Sequence, residues 1–204
     1  MAAPEEILQT SSFDYVFRGE AEEAFLDFVE KLARHENAAE VKNLGLMRNG
    51  KICLNPVRPL PDLTKLPFKD YDIFDFQKII DAKNGWVGLM ASRGCPGWVG
   101  LMASRGCPFS CSYCFNHQMV KQYRKDLSCT FGELNYIRHF DVRQVIDEVE
   151  YLLTNYQNIK MFIFDDDLFT FRRQYVMNFC QAYKNLCPIP FVVNAHVGFF
   201  DKER

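Results

Sequence analysis

The chain has 204 residues, of which 48% are hydrophobic and 25% are charged, and its formal net charge is −2. This composition is typical of a globular protein with one domain or parts of two, and the slightly acidic balance argues against a nucleic-acid-binding protein. No apolar run approaches the roughly 20 residues that span a bilayer. The acidic start MAAPEEILQT lacks the basic and apolar regions of a signal peptide, so we expect a cytoplasmic protein with no membrane partner.

Residues 13–34 begin with a short apolar stretch and continue, after a Gly-Glu turn, into an amphipathic helix. Its apolar face has the spacing of a 3.6-residue period and consists of Ala21, Ala24, Phe25, Phe28, Val29 and Leu32. One strand and one helix cannot bury their own apolar faces, so we expect this unit to complete a sheet whose other strands lie upstream. Residues 1–37 are accordingly predicted to be the end of a preceding domain.

Residues 38–84 combine a hairpin with a stiff connector. Two short apolar runs flank Asn49 and Gly50, and this pair favours a tight hairpin because both residues tolerate positive φ. Four prolines between Pro56 and Pro67 exclude a helix or a central strand. The proline-rich segment is therefore the predicted domain boundary.

Residues 85–204 alternate between strand and helix patterns, which predicts an α/β domain with a parallel sheet. Apolar strands are expected at WVGLMAS, at MFIF (residues 161–164) and at PFVVNAHV, whereas residues 118–140 have no clean period and are predicted to be a loop. Asp141 and Gln144 form a capping box for one helix, and Thr170 is the expected cap of the next. Three strands cannot close a barrel, so we expect a partial (β/α) barrel.

A 12-residue block occurs twice, as residues 85–96 and 97–108. Two identical copies are too short and too few for a repeat fold, and they indicate a recent duplication or an error in the sequence. Because only the second copy continues into FSCSYC, we expect residues 97–105 to form the strand. The first copy should bulge out or pair weakly at an edge, and its Cys95 should take no part in the site.

Three cysteines are spaced as Cys107-x3-Cys111-x2-Cys114, close enough to hold one metal centre. They could be three structural thiols, although buried cysteines seldom cluster in this way. With His117 they could form a tetrahedral zinc site of three cysteines and one histidine. They could also hold a 4Fe–4S cluster, in which three cysteines leave one iron open for chemistry.

The spacing and the aromatic Tyr113 before the last cysteine resemble the cluster loop of radical S-adenosylmethionine enzymes. VFRGEAEEAF is similar to the end of the cobalamin-binding domain in one class of these enzymes, and residues 43–74 are similar to the connector of that class. FIFDDDLFTF matches the class motif Phe-x-Asp-Asp-x-Phe-Thr at Phe164, Asp166, Asp167, Phe169 and Thr170.

The resemblance implies that Cys107, Cys111 and Cys114 hold the cluster and that S-adenosylmethionine chelates the fourth iron. It places Tyr113 near the adenine and a carboxylate, Asp166 first and then Asp167, at the ammonium of the methionyl group. One electron from a flavodoxin or ferredoxin would release a 5′-deoxyadenosyl radical, which acts on a small-molecule substrate in methyl transfer or cyclisation.

The resemblance also implies the last unit of a Rossmann-like cobalamin domain at residues 1–37, the connector at 38–84 and the first three units of a radical barrel at 85–204. Cobalamin is expected in the parent protein only, because no Asp-x-His-x-x-Gly string occurs in this chain. The chain is therefore expected to be a marginally stable fragment. A zinc-binding module and an inactive product of a truncated gene are the alternatives.

Overall fold

The computed structural model describes residues 4–10, 12–88 and 101–199. Its α-helices in these ranges are α1 Pro4–Gln9, α2 Glu22–Ala33, α3 Phe76–Ala82, α4 Asn116–Leu127, α5 Phe131–Leu134, α6 Val142–Asn155 and α7 Arg173–Leu186. Its strands are β1 Tyr15–Phe17, β2 Leu44–Arg48, β3 Lys51–Leu54, β4 Trp86–Gly88, β5 Ser104–Arg105, β6 Arg138–His139, β7 Met161–Phe164 and β8 Phe191–Val193. None of the helices in the described part of the chain is long and apolar enough to cross a membrane.

The chain divides into two compact units, and the first comprises Met1–Pro61 and Phe109–Tyr136. It contains an antiparallel sheet in the order β1-β2-β3. The predicted hairpin is confirmed, with φ of 51° at Asn49 and 71° at Gly50 between β2 and β3. Strand β1 lies at one edge of this sheet and pairs with β2, with Val16 opposite Gly45, and its pairing with strands upstream of this sequence stays a prediction.

Helix α2 buries Ala24 and Phe28 against Leu44 and Leu46 of the antiparallel sheet. Other residues of its predicted face are exposed, with Phe25 at 56% and Leu32 at 47%. A second cluster of buried side chains in this unit consists of Val57, Tyr123, Leu134 and Tyr136.

The loop predicted for residues 118–140 is wrong, since this region contains α4, α5 and β6. Helix α4 carries a narrow apolar stripe of Met119, Val120, Tyr123 and Leu127, of which Tyr123 is fully buried and the others are partly buried, and this helical spacing was missed in the sequence. Helix α5 is one turn long and is stabilised by a capping box between Thr130 and Glu133.

The second unit comprises Asp62–Pro108 and Ile137–Arg204. Its parallel sheet has the order β4-β7-β8, which confirms the predicted α/β fold with a parallel sheet. Phe162 and Phe164 of β7 are both 0% exposed and pack in the core with residues of α6 and α7. The capping box of Asp141 and Gln144 at the start of α6 is also confirmed.

Thr170 does not cap α7, contrary to the sequence prediction. It lies in a 3₁₀ turn over Phe169–Phe171, and α7 begins at Arg173 with Arg172 at the N-cap position. The turn forms because Phe169 is buried in the core, where it is 2% exposed and its ring contacts those of Phe164 and Phe179 at an angle. The burial of this aromatic ring therefore moves the N-cap of the helix by two residues, from Thr170 to Arg172.

The first copy of the duplicated block supplies β4 and pairs at an edge of the sheet, which is one of the two expectations for it. Of the strand predicted at residues 97–105, residues 97–100 lie outside the described residues and the rest is not one continuous strand. Trp86, Val87 and Gly88 pair with β7 at the edge of the sheet. The second copy adds a single parallel bridge from Leu101 to Phe164 and then forms β5, which pairs with β6. Cys95 lies outside the described residues.

We expect Phe164→Ala to lower the free energy of unfolding by about 3–5 kcal/mol, because it opens a cavity in a fully packed core. The Phe164 ring contacts Phe179 and Phe191 at centroid distances of 5.1 and 5.8 Å. Urea denaturation measures the change, and Met177→Ala on α7, where Met177 is 55% exposed, is the control. Equal losses in the two variants would show that β7 is not at the centre of the core.

Candidate functional site

Cys107 follows β5 of the second unit after one glycine. Gly106 has φ of 95°, a conformation that residues with a Cβ atom rarely adopt, and it lets the chain leave the strand sharply. Gly106 is buried whereas Cys107 is half-buried. Cys107 therefore follows a strand, although β5 pairs antiparallel with β6 and is not the parallel strand that the sequence predicted.

Cys111 and Cys114 lie in the first unit on a tight turn closed by a hydrogen bond of 3.0 Å from Cys114 N to Cys111 O. Cys111 is exposed and Cys114 is half-buried. Helix α4 begins at Asn116, directly after these cysteines. The positive end of its dipole favours negative charge on thiolates or on a bound anionic group. Tyr113, between the cysteines, is 91% exposed.

The cysteine donors suit an iron–sulfur cluster in their chemistry. None of the three is in a disulfide, and three thiols within eight residues of sequence match the donors that such clusters take. In the described ranges, no three His, Cys, Asp or Glu side chains are gathered as a metal-binding group. His117 has a buried Nδ1 without a hydrogen-bond partner, and its Nε2 lies 2.9 Å from Gln118 Nε2.

Asp166 is buried at the carboxyl end of β7 with 0% exposure. Its carboxylate accepts hydrogen bonds from the backbone N–H of Ala103 at 3.2 Å, from the hydroxyl of Ser104 at 2.6 Å and from the backbone N–H of Ser104. Burial raises the pKa of Asp166 to about 6, because it outweighs the hydrogen bonds, which act in the opposite direction. All three donors come from the strand that leads to Cys107.

The Ala103–Ser104 segment is also held by hydrogen bonds to the carbonyl oxygen of Ala103. The carbonyl oxygen of Ala103 accepts hydrogen bonds from Phe140 N at 2.9 Å and from the Tyr175 hydroxyl at 3.2 Å. Asn194, after β8, donates from its side chain to the backbone oxygen of Asp166 at 3.1 Å. Groups from β7, α7 and the end of β8 therefore hold the acidic strand end and the Ala103–Ser104 segment together.

The two neighbours of Asp166 are in different environments. Asp165 is half-buried, and its Oδ2 is buried without a hydrogen-bond partner. Burial raises the pKa of Asp165, and the positive charge of Lys83 partly opposes that rise. Asp167 is exposed, so the carboxylates of the acidic run can serve different roles.

His139 is a candidate residue that the sequence did not indicate. It pairs with Ser104 across β5 and β6, and its ring lies 4.6 Å from the Tyr175 ring. Both ring nitrogens are buried without a hydrogen-bond partner. Burial, assisted by the charge of Arg172, lowers the pKa of His139 to about 4, so the ring is neutral at pH 7. No motif surrounds His139, and only the long-range strand pairing places it here.

His196 has a local partner, because its Nδ1 accepts a hydrogen bond of 3.0 Å from Gly198 N. The ring also contacts the Phe199 ring edge-to-face, with a centroid distance of 5.8 Å. These contacts fit the structural role that is the simpler interpretation of a lone histidine.

No protein-family profile matches the chain. An uncharacterized methyltransferase of Pyrococcus horikoshii is 31% identical over 162 residues, which are 79% of this chain and 30% of the relative. The chain therefore spans less than a third of the length of that protein.

Three solved structures share the fold. OxsB, a cobalamin-dependent S-adenosylmethionine radical enzyme, matches with a TM-score of 0.71 when aqua-cobalamin and S-adenosylmethionine are bound, and with 0.68 in its apo form. Identity is 18% in both cases, and the matches cover 99% and 100% of this chain and 26% of OxsB. The radical S-adenosylmethionine methyltransferase TsrM of Kitasatospora setae, with cobalamin and a 4Fe–4S cluster, matches with a TM-score of 0.50 and 16% identity over 86% of this chain and 30% of TsrM.

The cofactors of these two enzymes are the ones that the sequence of this chain implies. The match to OxsB extends over nearly the whole chain, including the parallel sheet and the segment with the cysteine motif. This chain therefore has the fold of the cobalamin-dependent radical S-adenosylmethionine enzymes, and the resemblance predicted from its sequence is confirmed.

Proposed function

We propose that the chain is the cluster-binding part of a radical S-adenosylmethionine enzyme that transfers methyl groups. The observation that carries this proposal is the motif of Cys107, Cys111 and Cys114, placed after a strand in a fold shared with OxsB and TsrM. The methyltransferase relative favours methyl transfer over the cyclisation that the sequence also left open.

The three thiols would hold a 4Fe–4S cluster and leave one iron for S-adenosylmethionine. When bound and reduced by one electron, such a cluster supplies the chemistry that cleaves the sulfonium bond to methionine and a 5′-deoxyadenosyl radical. Gly106 directs the chain away from the strand at the first thiol, and the N-terminus of α4 stabilises negative charge at the other two.

We propose different roles for Asp166 and Asp167. The sequence prediction favoured Asp166 as the acceptor of the ammonium group of S-adenosylmethionine. Its lack of exposure and its three hydrogen bonds support a positioning role instead, in which Asp166 fixes Ala103 and Ser104 upstream of Cys107. Asp167 is exposed, so it is the better candidate for a charge-assisted bond to the ammonium.

Tyr113 stays the proposed contact of the adenine, since a ring that is 91% exposed can stack on a base. Asp165 offers a further acceptor, because one of its buried oxygens has no partner. Such an oxygen is stabilised when a bound ligand donates a hydrogen bond to it.

The remaining proposals concern the parent protein. Residues 1–37 would form the end of its cobalamin domain, and residues 85–204 would form a partial (β/α) barrel. Residues 38–84 would connect these two domains. The parent would bind cobalamin and a small-molecule substrate and would take electrons from a flavodoxin or ferredoxin. Reduced thiols and a low-potential cluster suit the cytoplasm.

Anaerobic reconstitution with iron and sulfide tests the cluster. We expect the reduced protein to give the electron paramagnetic resonance signal of a 4Fe–4S cluster, and we expect the signal to shift when S-adenosylmethionine is added. Cys107→Ala, Cys111→Ala or Cys114→Ala should abolish the signal, whereas Cys95→Ala and Cys129→Ala should retain it. A signal that is insensitive to the three motif cysteines would contradict the assignment.

The zinc alternative is tested on the same preparations, because the buried and unpartnered Nδ1 of His117 could ligate a metal. The radical-enzyme proposal predicts that His117→Ala keeps its iron. About one zinc per chain, lost on His117→Ala, would favour the zinc module. Neither metal in any preparation would favour an inactive gene product.

Asparagine variants separate the two aspartate roles. Asp166→Asn places an amide N–H₂ group among N–H and O–H donors, so we expect the cluster to be lost about tenfold more readily to a chelator. Asp167→Asn should keep the cluster and weaken S-adenosylmethionine binding about tenfold, measured as the concentration that shifts the spectrum. If Asp166→Asn weakened S-adenosylmethionine binding and Asp167→Asn destabilised the cluster, Asp166 would be the ammonium acceptor after all.

A further inference from the structure

Helix α4, which begins two residues after Cys114, is attached near its far end to the segment Arg18–Glu20. Tyr123 of this helix is 1% exposed, and its hydroxyl accepts a hydrogen bond of 2.7 Å from Glu20 N. Gly19 packs directly on the same ring, because a Cβ atom added to it would overlap Tyr123 Oη. The φ of Gly19 is 74°, so both its backbone conformation and the closeness of the ring require glycine there.

A buried ion pair makes a second attachment one turn further along α4. Arg18 donates from its guanidinium to Asp126 Oδ2 at 2.9 Å, and the two side chains are only 10% and 13% exposed. Asp126 also accepts hydrogen bonds of 3.3 Å from Val57 N and of 2.6 Å from Gln122 Nε2. Arg18 donates further to the backbone oxygen of Asn55. Removal of one partner from such a pair is costly, because the other charge then stays buried without compensation.

The segment that holds α4 is itself fixed by Asn43, which directly precedes β2. Asn43 is 0% exposed, and its side chain donates to the backbone oxygens of Arg18 at 2.7 Å and of Glu20 at 3.3 Å. Arg18 N donates in turn to Asn43 O at 2.9 Å. Residues 18–20 are therefore a firm support on which the helix rests.

We propose that Arg18 and Gly19 are positioning residues for the cysteine loop and that they act through Tyr123 and Asp126. The internal hydrogen bonds of an α-helix make it stiff, so a helix held at its third turn carries its N-terminus with it. The turn Cys111–Cys114 leads directly into that N-terminus. The contacts of residues 18–20 therefore set where two of the three motif thiols lie.

The inference gives the string Arg-Gly-Glu in VFRGEAEEAF a second role. The resemblance places this string at the end of a cobalamin-binding domain, whereas its contacts bind it to the helix that follows the cysteines. The consequence for the cluster rests on the proposed function, but the attachment of α4 does not. The two are therefore tested separately.

Hydrogen exchange of the iron-free chain tests the attachment, with Arg18→Gln as the variant. Loss of the buried charge should speed exchange of the α4 amides, and of the Cys114 amide before them, by about tenfold or more. Arg48→Gln is the matched control and should leave these amides unchanged, because Arg48 pairs with Glu40 at the surface of the same unit. Unchanged exchange in α4, or an equal rise in α4 and in the β1-β2-β3 sheet, would overturn the positioning role.

Gly19→Ala and Gly50→Ala separate packing on Tyr123 from backbone strain. Both glycines have positive φ, 74° and 71°, but a Cβ atom at Gly50 would meet no described atom within 4 Å. After reconstitution with iron and sulfide, Gly19→Ala should lose iron to a chelator about tenfold faster than the unaltered chain, and Gly50→Ala should match that chain. All rates are measured at the same interval below the Tm of each variant, so that global unfolding does not contribute.

Equal iron loss in the two glycine variants would overturn the proposal. If the unaltered chain takes up no iron, the proposed cluster fails, and hydrogen exchange of the Cys114 amide in Gly19→Ala and Gly50→Ala then decides the positioning role alone. Faster exchange in Gly19→Ala only would support it, and equal exchange would contradict it.

Discussion

The hydrogen bonds of the buried Asp166 carboxylate to Ala103 and Ser104 are the interaction on which the rest of the site depends. Asp166 lies two residues after the end of β7 and accepts three hydrogen bonds from Ala103 and Ser104, so the carboxyl end of β7 is tied to the segment that leads to the cysteine loop. A fully buried carboxylate is costly unless its lone pairs are occupied. The same three bonds therefore satisfy Asp166 and fix the segment that precedes Cys107.

The segment that Asp166 holds is also bound from its other side. The carbonyl oxygen of Ala103 accepts hydrogen bonds from Phe140 N and from the Tyr175 hydroxyl. Groups from three places in the sequence therefore fix the Ala103–Ser104 segment upstream of Cys107.

Local patterns made part of this structure predictable from the sequence. The capping box of Asp141 and Gln144, the Asn49-Gly50 hairpin and the apolar run of β7 act through neighbours within a few residues. The cysteine motif is equally local, and its spacing carries the resemblance to the radical enzymes. For such features the sequence window contains all of the interacting groups.

The rest depends on partners that are distant in sequence. The apolar stripe of helix α4 is narrow, and its one fully buried residue, Tyr123, packs against Val57, which is distant in sequence. Thr170 does not cap α7, because the neighbouring Phe169 is buried in the core. Asp166 and Asp167 differ in their proposed roles because Ala103 and Ser104, about 60 residues away in sequence, donate hydrogen bonds to Asp166. The copy that forms β4 could not be chosen from two identical strings.

Mössbauer spectroscopy of the chain reconstituted with ⁵⁷Fe tests the central claim most directly. Three cysteine-bound irons and one open iron should respond differently to S-adenosylmethionine, so about one quarter of the iron signal should shift when it is added. A signal in which all irons stay equivalent, or a chain that takes up no iron, would contradict the account.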